Sequence, residues 1–455
     1  MPLDGVARQV VNSATESRVK EKEYVVLGAG MAGLGAATRL RAEGLSARIL
    51  EQKAYPGGHT ASHLRDGYVF DEGPHVSFTK QEKIQKIFAE AVGNDYLRID
   101  AKIDNYWRGH LIRHPVVTNM HGLPPELVVK CIRDYVEAGK NPNPQIANYE
   151  DWLVASYGRA YAETFPMMYT RKYHTTAAAN MSTEWVGPRL YQAKLEEVLT
   201  GALSSQSPNI HYVQDYRYPR QGGFAAFLGG LVKASQIQLG HEVIAIDPKQ
   251  RQIQIRGGGV TGYDGLVSSL PLTELVPMVR GAPKDVLDAA RRLACTSVVL
   301  VNLGIDREDV SDSSWIYFYE EEFSFSRVSF PRTFSPHVVP AGCSSIQAEV
   351  YFSDKYKPLK DTPQSCIEPA IDGLRRSGVI RPDDRIVYRE AVFIPYANII
   401  FDLDRKAALA TVHGYLDDIG IAYCGRYGEW GYLWSDEAFV SGENAAMKTL
   451  QAGAP

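Results

Sequence analysis

Apolar order begins at Tyr24-Val25-Val26-Leu27, a short β-rich run, and passes at once into Gly28-Ala29-Gly30-Met31-Ala32-Gly33 and an alanine-rich stretch to about Glu43. The pattern predicts a strand, a glycine turn and a helix. A second run, Ala47-Arg48-Ile49-Leu50, ends in Glu51 and completes a βαβ unit. Residues 81–92 and 147–205 carry helical patterns, with Ile84, Ile87 and Phe88 in the first and Trp152, Leu153, Ser156 and Tyr157 in the second. A Pro/Asn-rich link lies at 141–144. From about residue 295 the texture turns to β-rich strings: Ser297–Ile305, Trp315–Tyr319, Phe323–Phe330, Ser345–Phe352 and Arg385–Ile394. These read as strands of one antiparallel sheet. Between the two textures Gly222-Gly223-Phe224 opens a helix, followed by strands at 242–246, 252–255 and 265–270. Near the end, 420–425 reads as a strand and Asp436 onward as a helix.

Composition changes this picture little, but it excludes several classes. The 455 residues suit two large domains or about three ordinary ones. Apolar residues at 45% and charged ones at 22% supply a sizeable core and exclude disorder, collagen and coiled coil. A formal net charge of −4, without long runs of one sign, argues against nucleic-acid binding. Cys131, Cys295, Cys343, Cys366 and Cys424 lie far apart with no CxxC spacing, so no metal or redox pair is expected and a reducing, cytoplasmic compartment is. No window approaches the roughly 20 apolar residues of a membrane span, and residues 1–22 read as a mobile leader. Tyrosine is in surplus, 26 Tyr against 15 Phe and 6 Trp; a ring with a hydroxyl suits either buried packing or the wall of a polar-ligand site.

The glycine string carries the clearest chemistry. Its first glycine permits the tight turn, the second lets backbone approach a pyrophosphate, and the third lets helix pack close on strand. The helix N-terminus then offers free N–H groups and a positive dipole end to phosphate. Glu51, at the end of the second strand, is spaced to accept hydrogen bonds from both ribose hydroxyls, and an acid there disfavours a 2′-phosphate. A nicotinamide domain would now return to its next βαβ unit, but Tyr55-Pro56-Gly57-Gly58-His59-Thr60 and Phe70-Asp71-Glu72-Gly73-Pro74-His75 follow instead. A flavin domain wraps distant segments around a long cofactor, and Gly222-Gly223, Gly425-Arg426 and Ser441–Ala446 are suitable further pieces. No second GxGxxG sits in a strand–turn–helix setting, so no separate NAD(P)H domain is expected.

Set together, these motifs resemble the flavin amine oxidase, protoporphyrinogen oxidase and UDP-galactopyranose mutase superfamily over nearly the whole chain from about residue 23. The resemblance implies an α/β fold with FAD as cofactor. A discontinuous Rossmann-like FAD-binding domain would be assembled from 23–77, 221–272 and 420–455. An inserted α+β substrate domain would comprise a helical part, 78–220, and an antiparallel-sheet part, 273–419. By the same resemblance Gly28, Gly30, Met31, Ala32, Gly33, Glu51 and Gln52 hold the ADP half, Gly57, Gly58 and His59 lie by the phosphates, and the backbone of Val243 meets adenine. Gly425, Arg426 and Asp436 would sit near the isoalloxazine and ribityl, where helix-terminal N–H groups stabilise an anionic reduced flavin. His59 departs from the arginine that amine oxidases usually carry after the glycine pair.

Within the superfamily the mutases are the most similar. Gly73-Pro74-His75-Val76 resembles their Gly-Ala-His-Ile loop, Tyr169-Thr170-Arg171-Lys172 their Tyr-Thr-Glu-Lys, and Ser326-Arg327-Val328 their Thr-Arg-Ile. This implies His75 and Arg327 as catalytic residues, His75 on the flavin face and Arg327 on the diphosphate of a nucleotide sugar. Tyr169, Lys172, His174, Arg189, Arg327 and Tyr396 are the implied substrate contacts; the guanidinium forks of Arg189 and Arg327 match phosphate oxygens. The mutase tryptophan that stacks on uracil falls near His174, and two mutase tyrosines fall at Leu433 and about Val392, which points to a small-molecule substrate other than UDP-galactose. The implied activity is ring-size isomerisation through reduced-flavin N5. The alternatives are an FAD-dependent oxidase or dehydrogenase taking hydride from an amine, alcohol or polycyclic substrate, and a flavin-binding protein without catalysis; one fold serves all three.

Overall fold

A computed structural model describes residues 22–187, 190–206 and 210–452; the leader expected at 1–22 lies outside these but for its last residue, and Arg189 lies outside them too. The run Tyr24–Leu27 is buried throughout and takes the centre of a five-stranded parallel sheet in the order 422–423, 265–268, 24–27, 47–51, 236–239. A strand covered on both faces needs such an unbroken apolar run. Val26 stands in register between Ile49 and Val267.

Helix Met31–Ala42 packs against the C-terminal helix Ser435–Ala452 with the two backbones almost touching. A Cβ added to Gly35 would lie 2.1 Å from the Phe439 carbonyl oxygen, and one on Gly442 would lie 1.9 Å from that of Ala32. No side chain fits between them.

The second sheet has seven strands in the order 386–394, 297–305, 344–352, 327–329, 315–318, 103–107, 110–113. It corrects the expected all-antiparallel sheet in two ways. Trp315–Phe318 pairs in parallel with Ile103–Trp107, and that strand and His110–Arg113 come from the part read as helical. Polar residues hid them: Asp104 and Asn105 are buried in the strand, with Asp104 accepting from Ser313 Oγ and Asn105 bonded to the Ile112 carbonyl, His114 and Tyr319. The predicted Phe323–Phe330 strand shortens to Arg327–Ser329, because Phe323 and Phe325 turn into the core beneath the sheet.

The helix expected at Gly222-Gly223 begins as a 3-10 turn, Phe224–Leu228, before a short α-helix, Gly229–Lys233. An unforeseen helix, Pro125–Gly139, joins those at Tyr149–Tyr157, Arg159–Thr164, Pro166–Tyr173 and Leu195–Leu203. Among the described residues no helix is long and apolar enough to cross a membrane. Residues from both sheets line one large cavity.

Candidate functional site

The cavity has a volume of about 410 Å³, within the range of small-molecule sites. One end is built by the glycine turn. A Cβ on Gly33 would lie 1.9 Å from the Gly28 carbonyl oxygen, so this glycine holds helix to strand and does not itself reach the cavity. Gly57 has φ +109, which glycine adopts readily, and its N–H donates to the Ala29 carbonyl at 2.9 Å. Gly58 thereby faces Gly30: a Cβ on Gly58 would lie 3.1 Å from the Gly30 Cα, so bare backbone forms the wall.

Glu51 is buried at the end of its strand. Its two carboxylate oxygens accept the N–H groups of Ala29 and Lys53, each at 2.8 Å. Next to it, Glu72 receives Lys53 Nζ at 2.9 Å, the Tyr55 hydroxyl and His63 Nε2 at 3.1 Å. Burial alone would raise the Glu72 pKa, but the bonds from His63, Tyr55 and Lys53 outweigh it and hold the carboxyl at about 2.

Beside the glycine turn, where a Cβ on Gly425 would lie 2.7 Å from that of Ala32, Gly425 donates its N–H to Ser441 Oγ at 2.7 Å, and Ser435 brings the N-terminus of the C-terminal helix to the cavity. Arg426 is engaged by protein: Nε and one terminal nitrogen donate to the Leu433 carbonyl at 3.0 and 2.6 Å, and the other donates to the Ala397 carbonyl and Asn398, both at 3.2 Å. It staples 426–433 to 397–398. Asp436 accepts from Thr79 and stays off the cavity wall.

His59 and His75 are both held neutral by burial, at about 3 and about 4. His75 Nδ1 lies 2.9 Å from the Gly73 carbonyl, which can only accept, so the proton sits on Nδ1 and Nε2 is an acceptor. Facing these groups, Arg327 and Glu349 are register partners on neighbouring strands. Arg327 Nε donates to Glu349 at 2.7 Å, and the Tyr351 hydroxyl donates to the second Glu349 oxygen. Tyr317 is the register partner of Arg327 on its other side.

The structure thus gathers Gly28, Gly30, Met31, Ala32, Glu51, Gln52, Gly57, Gly58, His59, His75, Val243, Arg327, Tyr396, Gly425 and Arg426 around one cavity. It leaves Tyr169, Lys172 and His174 off the wall, against the expectation for them. Tyr169 is stacked at 5.2 Å behind Tyr173, which lines the cavity in its place. The Lys172 amine donates to the carbonyls of Phe318 and Glu320 at 3.0 and 2.8 Å, and burial pushes it down to about 7. His174 is 3% exposed, and burial pushes it to about 3.

The segment 26–91 matches a family model described as an NAD(P)-binding Rossmann-like domain. A reduced UDP-galactopyranose mutase structure overlays with TM-score 0.89 and 26% identity, covering 95% of this chain and 96% of that one. The fold and these matches are similar to those of the flavin amine oxidase-like superfamily. Putrescine oxidase shares the fold at TM-score 0.65 and 15% identity, over 95% of this chain and 99% of that one. A 4,4'-diapolycopene oxygenase of Methylomonas is 23% identical over 74% of this chain and 76% of its own. A chloroplast prolycopene isomerase of Daucus carota is 29% identical over 32% of this chain, a match spanning only 22% of that protein.

The cofactor of the superfamily is FAD, and the cavity fits it. Bare Gly30 and Gly58 backbone, the buried Glu51 carboxylate and the N-termini of two long helices supply walls for pyrophosphate, ribose and flavin. Tyr173, Glu349, Tyr351, Tyr427 and Tyr432 also line the cavity and escaped the sequence reading. Tyr317 lines it too, from the aromatic run Trp315–Tyr319 expected to build the mouth of an oxidase site. Only the two-residue alternation of Trp315 with Tyr317 and of Glu349 with Tyr351 signalled that each pair shares a sheet face.

Proposed function

We propose that this flavoenzyme acts on a nucleotide-activated sugar and changes its ring size without net redox change. The supporting observation is the half-buried Arg327, tied through Nε to Glu349 and set among tyrosines in the FAD cavity. Bound and reduced, FAD supplies a nucleophilic N5 for displacement at an anomeric carbon. Arg327 binds the diphosphate that leaves, with Glu349 and Tyr351 fixing the guanidinium plane. The Tyr173, Tyr317 and Tyr432 rings exclude water and direct hydroxyls at a polyhydroxylated ligand. Neutral His75 offers Nε2 as a proton acceptor beside them.

A second reading, hydride removal from an apolar polyene, draws on the long match to the diapolycopene oxygenase and on Trp315 and Trp434 in the cavity wall. Dithionite-reduced and oxidised protein should be screened against UDP-, GDP- and TDP-sugars. Conversion by the reduced form alone, without net redox change, supports the first reading. No conversion of any sugar, with flavin bleaching by a polyene, amine or alcohol, rejects it.

A further inference from the structure

We propose that Tyr212 and Trp434 form a stacking subsite for the planar base of a nucleoside diphosphate whose diphosphate meets Arg327; this rests on the nucleotide-sugar reading of the cavity. Segments far apart in sequence bring aromatic rings to one end of the cavity. Tyr212 and Trp434 lie nearly parallel, with centroids 5.4 Å apart and planes at 24°. Phe78 meets them edge-on at 5.9 and 5.0 Å. All three line the cavity, and Tyr212 is 40% exposed. Aromatic faces kept at an opening are what base stacking uses, and stacking tolerates any base because each has a π-face.

From Tyr212 the rings run inward without a break. His211 follows at 4.2 Å, His114 at a further 4.8 Å and Tyr317 at a further 5.1 Å, and Tyr317 is the strand partner of Arg327. Burial keeps both histidines neutral, His211 at about 4. The cavity therefore offers a stacking surface at Tyr212 and Trp434 and a guanidinium at Arg327, and the uncharged His211 and His114 rings that join them lie behind its wall. The position of the mutase stacking tryptophan cannot serve here, since His174 is buried away from the cavity. The base needs another platform, and this is the one the cavity carries.

The test compares FAD-loaded wild type with Tyr212→Ala, Trp434→Ala and Trp434→Phe, using equilibrium dialysis with UDP, GDP, TDP and inorganic pyrophosphate. At least one nucleoside diphosphate should bind wild type and weaken about tenfold in each alanine variant. Pyrophosphate affinity should not change, bound FAD should not change in Tyr212→Ala, and Trp434→Phe should keep most of the nucleotide affinity. Equal nucleotide affinity in wild type and Tyr212→Ala overturns the subsite and leaves the nucleotide-sugar reading standing. No nucleoside diphosphate binding by wild type overturns both. Tyr212 is half-exposed, so its variant decides the matter even if Trp434→Ala fails to fold.

Discussion

Two carboxylates in the cavity do different work. Glu51 is held by two backbone N–H groups beside the glycine turn, while Glu349, at the proposed substrate end, is held by a guanidinium and a hydroxyl. Replacing Glu51 by Ala leaves the Ala29 and Lys53 N–H groups without their acceptor and removes the carboxylate that faces the cofactor. Hydrogen bonds to charged groups contribute roughly 1.5–3 kcal/mol each, so FAD affinity should fall at least tenfold. The flavin-to-protein absorbance ratio of the purified variant measures this, and full occupancy would contradict the assignment. Arg327→Ala should have the complementary effect: the substrate constant rises at least tenfold while FAD stays bound. Glu349→Gln should do less, because the amide oxygen still accepts from Arg327 Nε. A normal substrate constant in Arg327→Ala would reject the diphosphate contact.

At the scale of elements, the close contact of helices Met31–Ala42 and Ser435–Ala452 depends on residues without side chains. Gly442→Ala would force the two backbones apart, at a cost of about 1–3 kcal/mol for overpacking. The expected result is a melting temperature lower by several degrees together with weaker FAD retention, since Met31 and Ala438 on these helices line the cavity. A stable variant with normal flavin content would refute the coupling. What could be read in the sequence follows from the same geometry. The end proposed for the nucleotide was legible because its residues, from Gly28 to Glu51, lie within one βαβ unit. The substrate end was not, because strand register assembles it: Arg327 meets Glu349 on one side and Tyr317 on the other, residues that no local pattern connects. Tyr169 and Tyr173 sit one helical turn apart on one face, and only tertiary packing decides which reaches the cavity. The strands 103–107 and 110–113 were concealed for a related reason, since buried Asp104 and Asn105 break the alternation on which strand prediction depends.

For the whole molecule, buried neutral histidines set the response to acid. His59 and His174 lie at about 3, and His75 and His211 at about 4, all below the ordinary 6.5 because burial disfavours the charged ring. Below pH 6.5 the unfolded chain takes up protons that the folded chain refuses, so stability is lost as the pH falls from 6.5 towards 4. Above 6.5 both states are neutral at these rings and the contribution is flat. Each histidine adds up to about 1.4 kcal/mol per pH unit to that slope. Asp71 works the other way, because burial pushes its carboxyl up to about 6 and the folded state holds its proton longer. Burial lowers His114 and His413 as well and raises Asp104 like Asp71, and six rings against two carboxyls leave a net acid lability. Denaturant midpoints should fall steeply between pH 6.5 and 5, and an unchanged midpoint would contradict the burial of these rings. The contact between the helices 31–42 and 435–452 also orders events during synthesis. At about 5–20 residues per second, roughly 20–80 s separate the emergence of the two helices from the ribosome. Throughout that interval the nascent nucleotide turn has a helix whose inner face lacks its mate. Flavin loading therefore waits for the segment 435–452, and a translation stall before residue 435 leaves the earlier helix as an exposed surface for chaperones.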